Sequence, residues 1–171
     1  MDKELIRKID DNRKEYERLM KDADYTNVRF NPENGALSAI HKKHTFDPTI
    51  GIFGIPRGDY ERISLDVLYE YGNKVILGSE TPIYKVKVAE GILNEIKFDI
   101  KGIEGTGKEN ILKDIKDASK KGAETVVLYY HKNNLFNESQ MRENYNTYLR
   151  TSKSKRVQKV YYIVDRILHT L

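Results

Sequence analysis

Asp99 and Lys101 stand two residues apart in the segment Ile96–Ile103, where Phe98 and Ile100 alternate with them. On a β-strand this alternation sends the two apolar side chains to one face and the carboxylate and ammonium to the other, about 7 Å apart along the backbone. Glu90 lies in the hairpin just before this strand, and Glu61 falls in a helical pattern further upstream. Carboxylates of Glu90 and Asp99 on neighbouring strands suit Mg²⁺ or Mn²⁺, hard ions that take oxygen ligands and keep waters which a substrate phosphate can displace. Such an ion would stabilise charge on a scissile phosphate, while Lys101 orients an attacking water or helps deprotonate it and Glu61 supports the metal or the lysine. A cross-strand salt bridge on the surface is the alternative for so short a motif.

Two histidines, His41 and His44, flank Lys42 and Lys43 in a segment rich in Asn, Pro and Gly. A histidine titrates near neutrality and can act as a general base, which leaves open a metal-independent ribonuclease in which His41 or His44 takes the proton and Lys or Arg holds the phosphate. Gly102 to Lys108, GIEGTGK, lacks the serine or threonine that would complete a nucleotide-binding P-loop. It reads instead as a strand-to-helix connection whose backbone N–H groups, the following helix N-terminus and Lys108 can face a nucleic-acid phosphate.

The formal charge is only +4, but six of the basic residues lie between Met141 and Val160 against a single acidic one. Arg150, Lys153, Lys155 and Arg156 from that run, with Lys113, Lys116 and Lys120 on one side of a helix starting at Asn110, make a candidate phosphate-contacting surface. A solvated helix end with a lysine-rich loop is the plainer reading of the same charges.

These residues need a scaffold. A helix capped at Asp59 is expected to run to Tyr71 and end at Gly72, followed by strands at Lys74–Leu77, Ile83–Val88 and Ile96–Ile103. A helix from Asn110 to about Lys121, a strand TVVLYY at Thr125–Tyr130 buried on both faces, a helix from Glu138 to about Arg150 and a strand at Val157–Val164 complete the pattern. The order α-β-β-β-α-β-α-β predicts an α/β (α+β) domain with a central mixed β-sheet flanked by helices. Residues 1–24 form a charged helical or linker segment, and residues 25–171 the functional domain, in which 25–57 reads as long and irregular but ordered.

With 171 residues the chain suits one compact domain. Its 12 Tyr and 5 Phe argue against disorder. No apolar run is long enough to span a bilayer, so no membrane partner is expected, and the absence of Cys excludes disulfides and thiolate zinc sites. A cytoplasmic site of action is expected.

Helix with Glu61, hairpin, FDIK strand, Gly-rich loop, basic helix and buried strand together resemble the PD-(D/E)xK nuclease superfamily. Glu90-Gly91-Ile92-Leu93-Asn94 followed by Phe98-Asp99-Ile100-Lys101 is similar to a segment of C-terminal nuclease toxin domains found in contact-dependent growth-inhibition proteins and in phage minor head proteins. Ser38–Asp47 and Arg57-Gly58-Asp59-Tyr60-Glu61 resemble the phage-associated branch, and the likeness spans about Arg29 to Val164. It implies a PD-(D/E)xK-like core, a divalent-metal endonuclease acting on tRNA or DNA, delivery within a larger toxin or phage protein, and a cognate immunity protein. The metal position usually held by Asp is Glu90 here, one methylene longer. A catalytically silent binding module of a mobile element is the reading from a different class.

Overall fold

The computed structural model describes residues 2–80, 89–154 and 156–171. Eight strands among these form one mixed sheet in chain order, with helices on both faces, an α+β architecture. Strand β1 (Tyr25–Phe30) pairs antiparallel with β2 (Leu37–His41), and β2 runs parallel to β3 (Lys74–Leu77). Strands β3, β4 (Gly91–Leu93) and β5 (Ile96–Ile103) form an antiparallel meander. Strands β5, β6 (Thr125–Tyr130) and β7 (Lys159–Val164) are parallel, and β8 (Ile167–Thr170) closes the far edge antiparallel to β7. The expected strand at Ile83–Val88 lies outside the described residues.

Helix α1 (Lys3–Met20) covers the β1–β2 end, where Leu19 packs with Leu37, Ala39 and Ile76. It is held there by polar ties as well: Asn12 donates to the carbonyl of Gly35 at 2.8 Å, and Lys74 pairs with Glu15. The segment therefore packs on the sheet. Helix α2 (Gly58–Glu70) lies on one face over Phe98, Ile100, Val127 and Ile163. Helices α3 (Asn110–Lys120) and α4 (Glu138–Thr151) lie on the other, over Ile103, Val126, Leu128 and Tyr162. Strand β6 is buried along its whole length between these layers, as its unbroken apolar run requires. No helix among the described residues is long and apolar enough to cross a membrane.

The irregular reading of 25–57 is corrected by β1 and β2. Asn27 has a left-handed backbone (φ 51°) at a register shift between Thr26 and Arg29, so strict alternation fails in β1. In β2 both faces are covered, Leu37 to Ile40 are all buried, and Ser38 Oγ accepts from Arg29 at 2.9 Å. The turn at NPENG and the loop at 51–58 are present as read. Asp59 does not cap α2: the helix begins one residue earlier and the Asp59 carboxylate pairs with Arg62 at 3.0 Å within the first turn.

Candidate functional site

Two glycines shape the ground on which the acidic residues stand. A Cβ on Gly91 would sit 1.9 Å from the carbonyl oxygen of Ile76, so β3 and β4 approach this closely only because a glycine follows Glu90. A Cβ on Gly102 would meet the Tyr60 ring at 2.2 Å, so the glycine after Lys101 admits an aromatic side chain of α2 against β5. The β4–β5 connection is a two-residue turn with Asn94 and Glu95 both left-handed (φ 50° and 73°). Asn94 anchors it to β3, accepting from the Lys74 N–H at 3.0 Å through its side chain and donating its own N–H to the Lys74 carbonyl at 2.8 Å. The turn fixes the register Gly91 opposite Phe98, and Glu90, just before β4, stands close enough to Asp99 for its charge to act on it.

Asp99 is fully buried, and its carboxylate lies 3.3 Å from Lys101 Nζ and 3.6 Å from Lys121 Nζ. Both of its oxygens lack a hydrogen bond among the described residues, because the two ammoniums stand in ion-pair range without reaching bonding geometry. Lys101 hydrogen-bonds Asp117 of α3. Burial alone would lower the Lys101 pKa, but Asp99 and Asp117 outweigh it and hold the group above its ordinary value. Lys101 is therefore an ammonium that can donate hydrogen bonds and stabilise negative charge, and it is not a base for water. Asp114, also on α3, is pushed up to about 6 by burial and by the charges of Asp117 and Asp99, against the opposing pull of Lys101 and Lys121.

The second half of the site gathers around His44. Its ring is fully enclosed, with Nδ1 3.0 Å from the carbonyl oxygen of Gly78 and Nε2 3.0 Å from Glu61 Oε2. Glu90 Oε2 is 3.5 Å from Nε2, and Glu80 Oε1 is 3.6 Å from Nδ1. Burial opposes charging His44, yet Glu61 and Glu80 raise its pKa overall. Glu90, 7% exposed, is pushed up to about 11 by burial first, then by the charges of Glu61 and Asp99 and by Glu80. Its Oε2 has no hydrogen bond among the described residues. Glu61 thus reaches the cluster from α2 and Asp99 and Lys101 from the strand covered by α3, with Glu90 adjoining both groups.

His41 does not join this cluster. Its Nδ1 accepts from the Lys43 N–H at 3.0 Å and its ring packs edge-on against Tyr25. It lines an open cavity of about 530 Å³ together with Lys42, Arg29 and Arg62, and His44 forms part of the same wall.

The basic residues divide among several surfaces. Lys116, Lys120, Lys153 and Arg156 surround a depression of about 410 Å³ that also presents Ser119, Thr151 and Ser152. Lys113 and Arg150 are exposed, on α3 and α4. Lys108 borders a separate depression with Asn137 and Gln140, and Lys155 lies outside the described residues. The first N–H groups of α3 are not all open to a phosphate: the Leu112 N–H donates to Asn144 Oδ1 at 2.9 Å, and Asn144 Nδ2 donates to the Lys108 carbonyl. The glycines of the preceding loop make room for Asn110, which a Cβ on Gly105 or Gly107 would meet at 2.7 or 2.8 Å.

Glu80, Asp114, Asp117 and Lys121 are site neighbours that motif reading missed. Asp114 and Asp117 on α3 and Lys121 at its C-terminal cap carry a signal, since the spacing 114, 117, 121 puts them on one helix face turned toward Lys101. Glu80 stands beyond the end of β3 in a segment with no periodicity, and no pattern points to it. Comparison of the chain with protein-family models, with curated proteins and with solved structures finds no match.

Proposed function

We propose that this chain is a divalent-metal endonuclease domain of the PD-(D/E)xK type that hydrolyses phosphodiester bonds of tRNA or DNA, acting in the cytoplasm as the toxic part of a larger toxin or phage protein and restrained by an inhibitor protein in the producing cell. The observation that carries this reading is the pair of buried acidic side chains, Glu90 and Asp99, close enough for the charge of Asp99 to act on Glu90, with the Lys101 ammonium 3.3 Å from Asp99. Asp99 faces two ammoniums at ion-pair range, whereas Glu90 Oε2 is buried with no hydrogen bond among the described residues, a costly state that a bound cation would relieve, which supports a metal here. Glu90 and Asp99 would hold it, and its chemistry there is to stabilise negative charge on the phosphate. Lys101 donates to the attacking water or to a phosphate oxygen, and Asp117 holds it in place. Arg29, Lys42 and Arg62 along the cavity beside His44, and the Lys116–Arg156 depression, offer cations for flanking phosphates.

The metal-independent ribonuclease reading has one observation in its favour, the 3.0 Å contact between His44 and Glu61. Enclosure of the His44 ring weighs against it, because a general base must reach a substrate hydroxyl. Incubation with plasmid DNA and with total tRNA, in Mg²⁺ or Mn²⁺ and in chelator, separates the readings. Cleavage that the chelator abolishes and that Asp99→Asn lacks supports the metal-dependent nuclease. Chelator-resistant cleavage of RNA would replace it with the ribonuclease, and no cleavage of either substrate would favour a binding module.

A further inference from the structure

We propose that His44, Glu80 and Glu90 bind a divalent first-row transition cation, Mn²⁺ in preference to Mg²⁺, with His44 Nε2 as a direct ligand. The inference deepens the metal-dependent reading above and rests on it for the use to which the cation is put. One donor atom from each of the three residues lies within 4.8 Å of the other two, close enough for a single ion after small side-chain adjustments. Glu61 adjoins the group through its contact with His44.

The protonation of the ring follows from its partners. A backbone carbonyl can only accept, so the 3.0 Å contact with Gly78 O places the proton on Nδ1. In the metal-free protein Nε2 carries a proton toward Glu61 as well, and a cation bound between Nε2 and the carboxyl groups of Glu80 and Glu90 displaces that proton and takes the lone pair. A histidine held through one ring nitrogen by a carbonyl, with the other facing acidic oxygens, is oriented as metal-binding histidines are. Glu90 supplies an independent observation. Its Oε2 is buried, has no hydrogen bond among the described residues and lies 3.5 Å from Nε2, so it is aimed into the space a cation would share with His44.

The donor set favours a transition ion over Mg²⁺, and Mn²⁺ is the weakest-binding member of that series and so its most stringent probe. Mg²⁺ favours oxygen ligands in near-ideal octahedral geometry and holds its waters tightly, whereas affinity for a site containing an imidazole rises along the first-row transition series. Two or three carboxyl groups with one nitrogen fit Mn²⁺, which accepts both donor types.

The test uses the full chain stripped of metal. Calorimetric titration with Mn²⁺ and with Mg²⁺ should show Mn²⁺ bound at least about tenfold more tightly, and His44→Gln or Glu80→Gln should each weaken Mn²⁺ binding by about tenfold or more. Electron spin-echo spectra of Mn²⁺ bound to protein carrying ¹⁵N-histidine should show a nitrogen coupling that His44→Gln removes. Equal affinities for the two ions, no saturable binding, or bound Mn²⁺ without nitrogen coupling would each overturn the proposal. The wild-type coupling decides the matter even if a variant fails to fold. Nitrogen-coupled Mn²⁺ in a protein that cleaves nothing supports this inference and defeats only the nuclease reading. Chelator-sensitive cleavage without the coupling does the reverse.

Discussion

His44 and Glu61, from the segment following β2 and the first turns of α2, meet with Nε2 3.0 Å from Oε2. The contact joins the α2 side of the sheet to the β4 end where Glu90 sits, so α2 helps position the acidic cluster as well as covering Phe98 and Ile100. Glu61→Gln should therefore weaken metal-dependent cleavage while leaving the melting temperature near that of the wild type, because the amide can still meet the ring but carries no charge. A melting temperature that falls in step with activity would show Glu61 to be a structural contact only.

Protonation of this cluster makes stability depend on pH in a stated direction. Glu90 has its folded pKa raised from the ordinary 4.5 to about 11, and His44 is raised above 6.5. In the metal-free protein both groups hold protons that the unfolded chain would release, so their contribution is greatest at low pH and is lost as pH rises through neutrality. Between about pH 6 and about pH 9 the metal-free melting temperature should fall, and Glu90→Gln should flatten that fall. Saturating Mn²⁺ should raise the melting temperature more at the alkaline end, since an ion displaces the protons. A metal-free stability that rises over this range, together with a pH-independent Mn²⁺ effect, would refute the assignment.

Opposite faces of β5 predict opposite behaviour. Asp99→Asn and Lys101→Met should each abolish cleavage with small changes in stability: in the first Lys101 keeps Asp117, and in the second Asp99 keeps Lys121. Phe98→Ala, on the face under α2, should instead cost roughly 3–5 kcal/mol of stability and lower activity only as the protein unfolds. Thermal melts beside cleavage assays tell the two apart, and full activity in Asp99→Asn would sink the site.

Close approach of backbone predicts a third behaviour. Gly91→Ala places a methyl against the Ile76 carbonyl, where backbone must move, and should cost about 3 kcal/mol or more. Gly102→Ala meets the buried Tyr60 ring, a side chain rather than backbone. Its penalty should be smaller and should be relieved by Tyr60→Leu. Equal penalties for the two glycines in urea unfolding would contradict this account.

Much of the scaffold was legible because its signals are local. Alternation in FDIK fixes which residues share a face, the unbroken run TVVLYY marks a strand covered on both sides, and Gly72, with φ 85°, ends α2 where its sequence stops. The edge elements were not legible. In β1 the bulge at Asn27 breaks alternation, and β8 follows a two-residue turn made by Asp165 and Arg166, both left-handed although neither is a glycine. Of the site, Asp99 and Lys101 share a face because strand period requires it, whereas the gathering of His44, Glu61, Glu80 and Glu90 depends on tertiary packing that no spacing encodes. His41 and His44 illustrate the difference: three residues apart, one packs on Tyr25 and the other is enclosed among carboxyl groups.

Lys116 and Lys120 of α3 reach the same depression as Lys153 and Arg156 beyond α4, with the hydroxyls of Ser119, Thr151 and Ser152 between them. Four cations with neutral donors around one hollow suit a phosphate group, and nucleic-acid affinity should then fall steeply with salt because each neutralised phosphate releases condensed counterions. Replacing Lys116, Lys120, Lys153 and Arg156 together by Ser should weaken binding across sequences and reduce the slope of log affinity against log salt by roughly 0.9 for each duplex phosphate that is no longer neutralised. The cleavage position should stay the same, since phosphate contacts set register and affinity without reading bases. Measurements on Asp99→Asn, which leaves the substrate intact, with and without the fourfold replacement, give the two slopes directly. If this surface instead receives an acidic inhibitor protein, the replacement abolishes inhibitor binding and the two nucleic-acid curves superimpose, which would move the substrate path to the cavity lined by Arg29, Lys42 and Arg62.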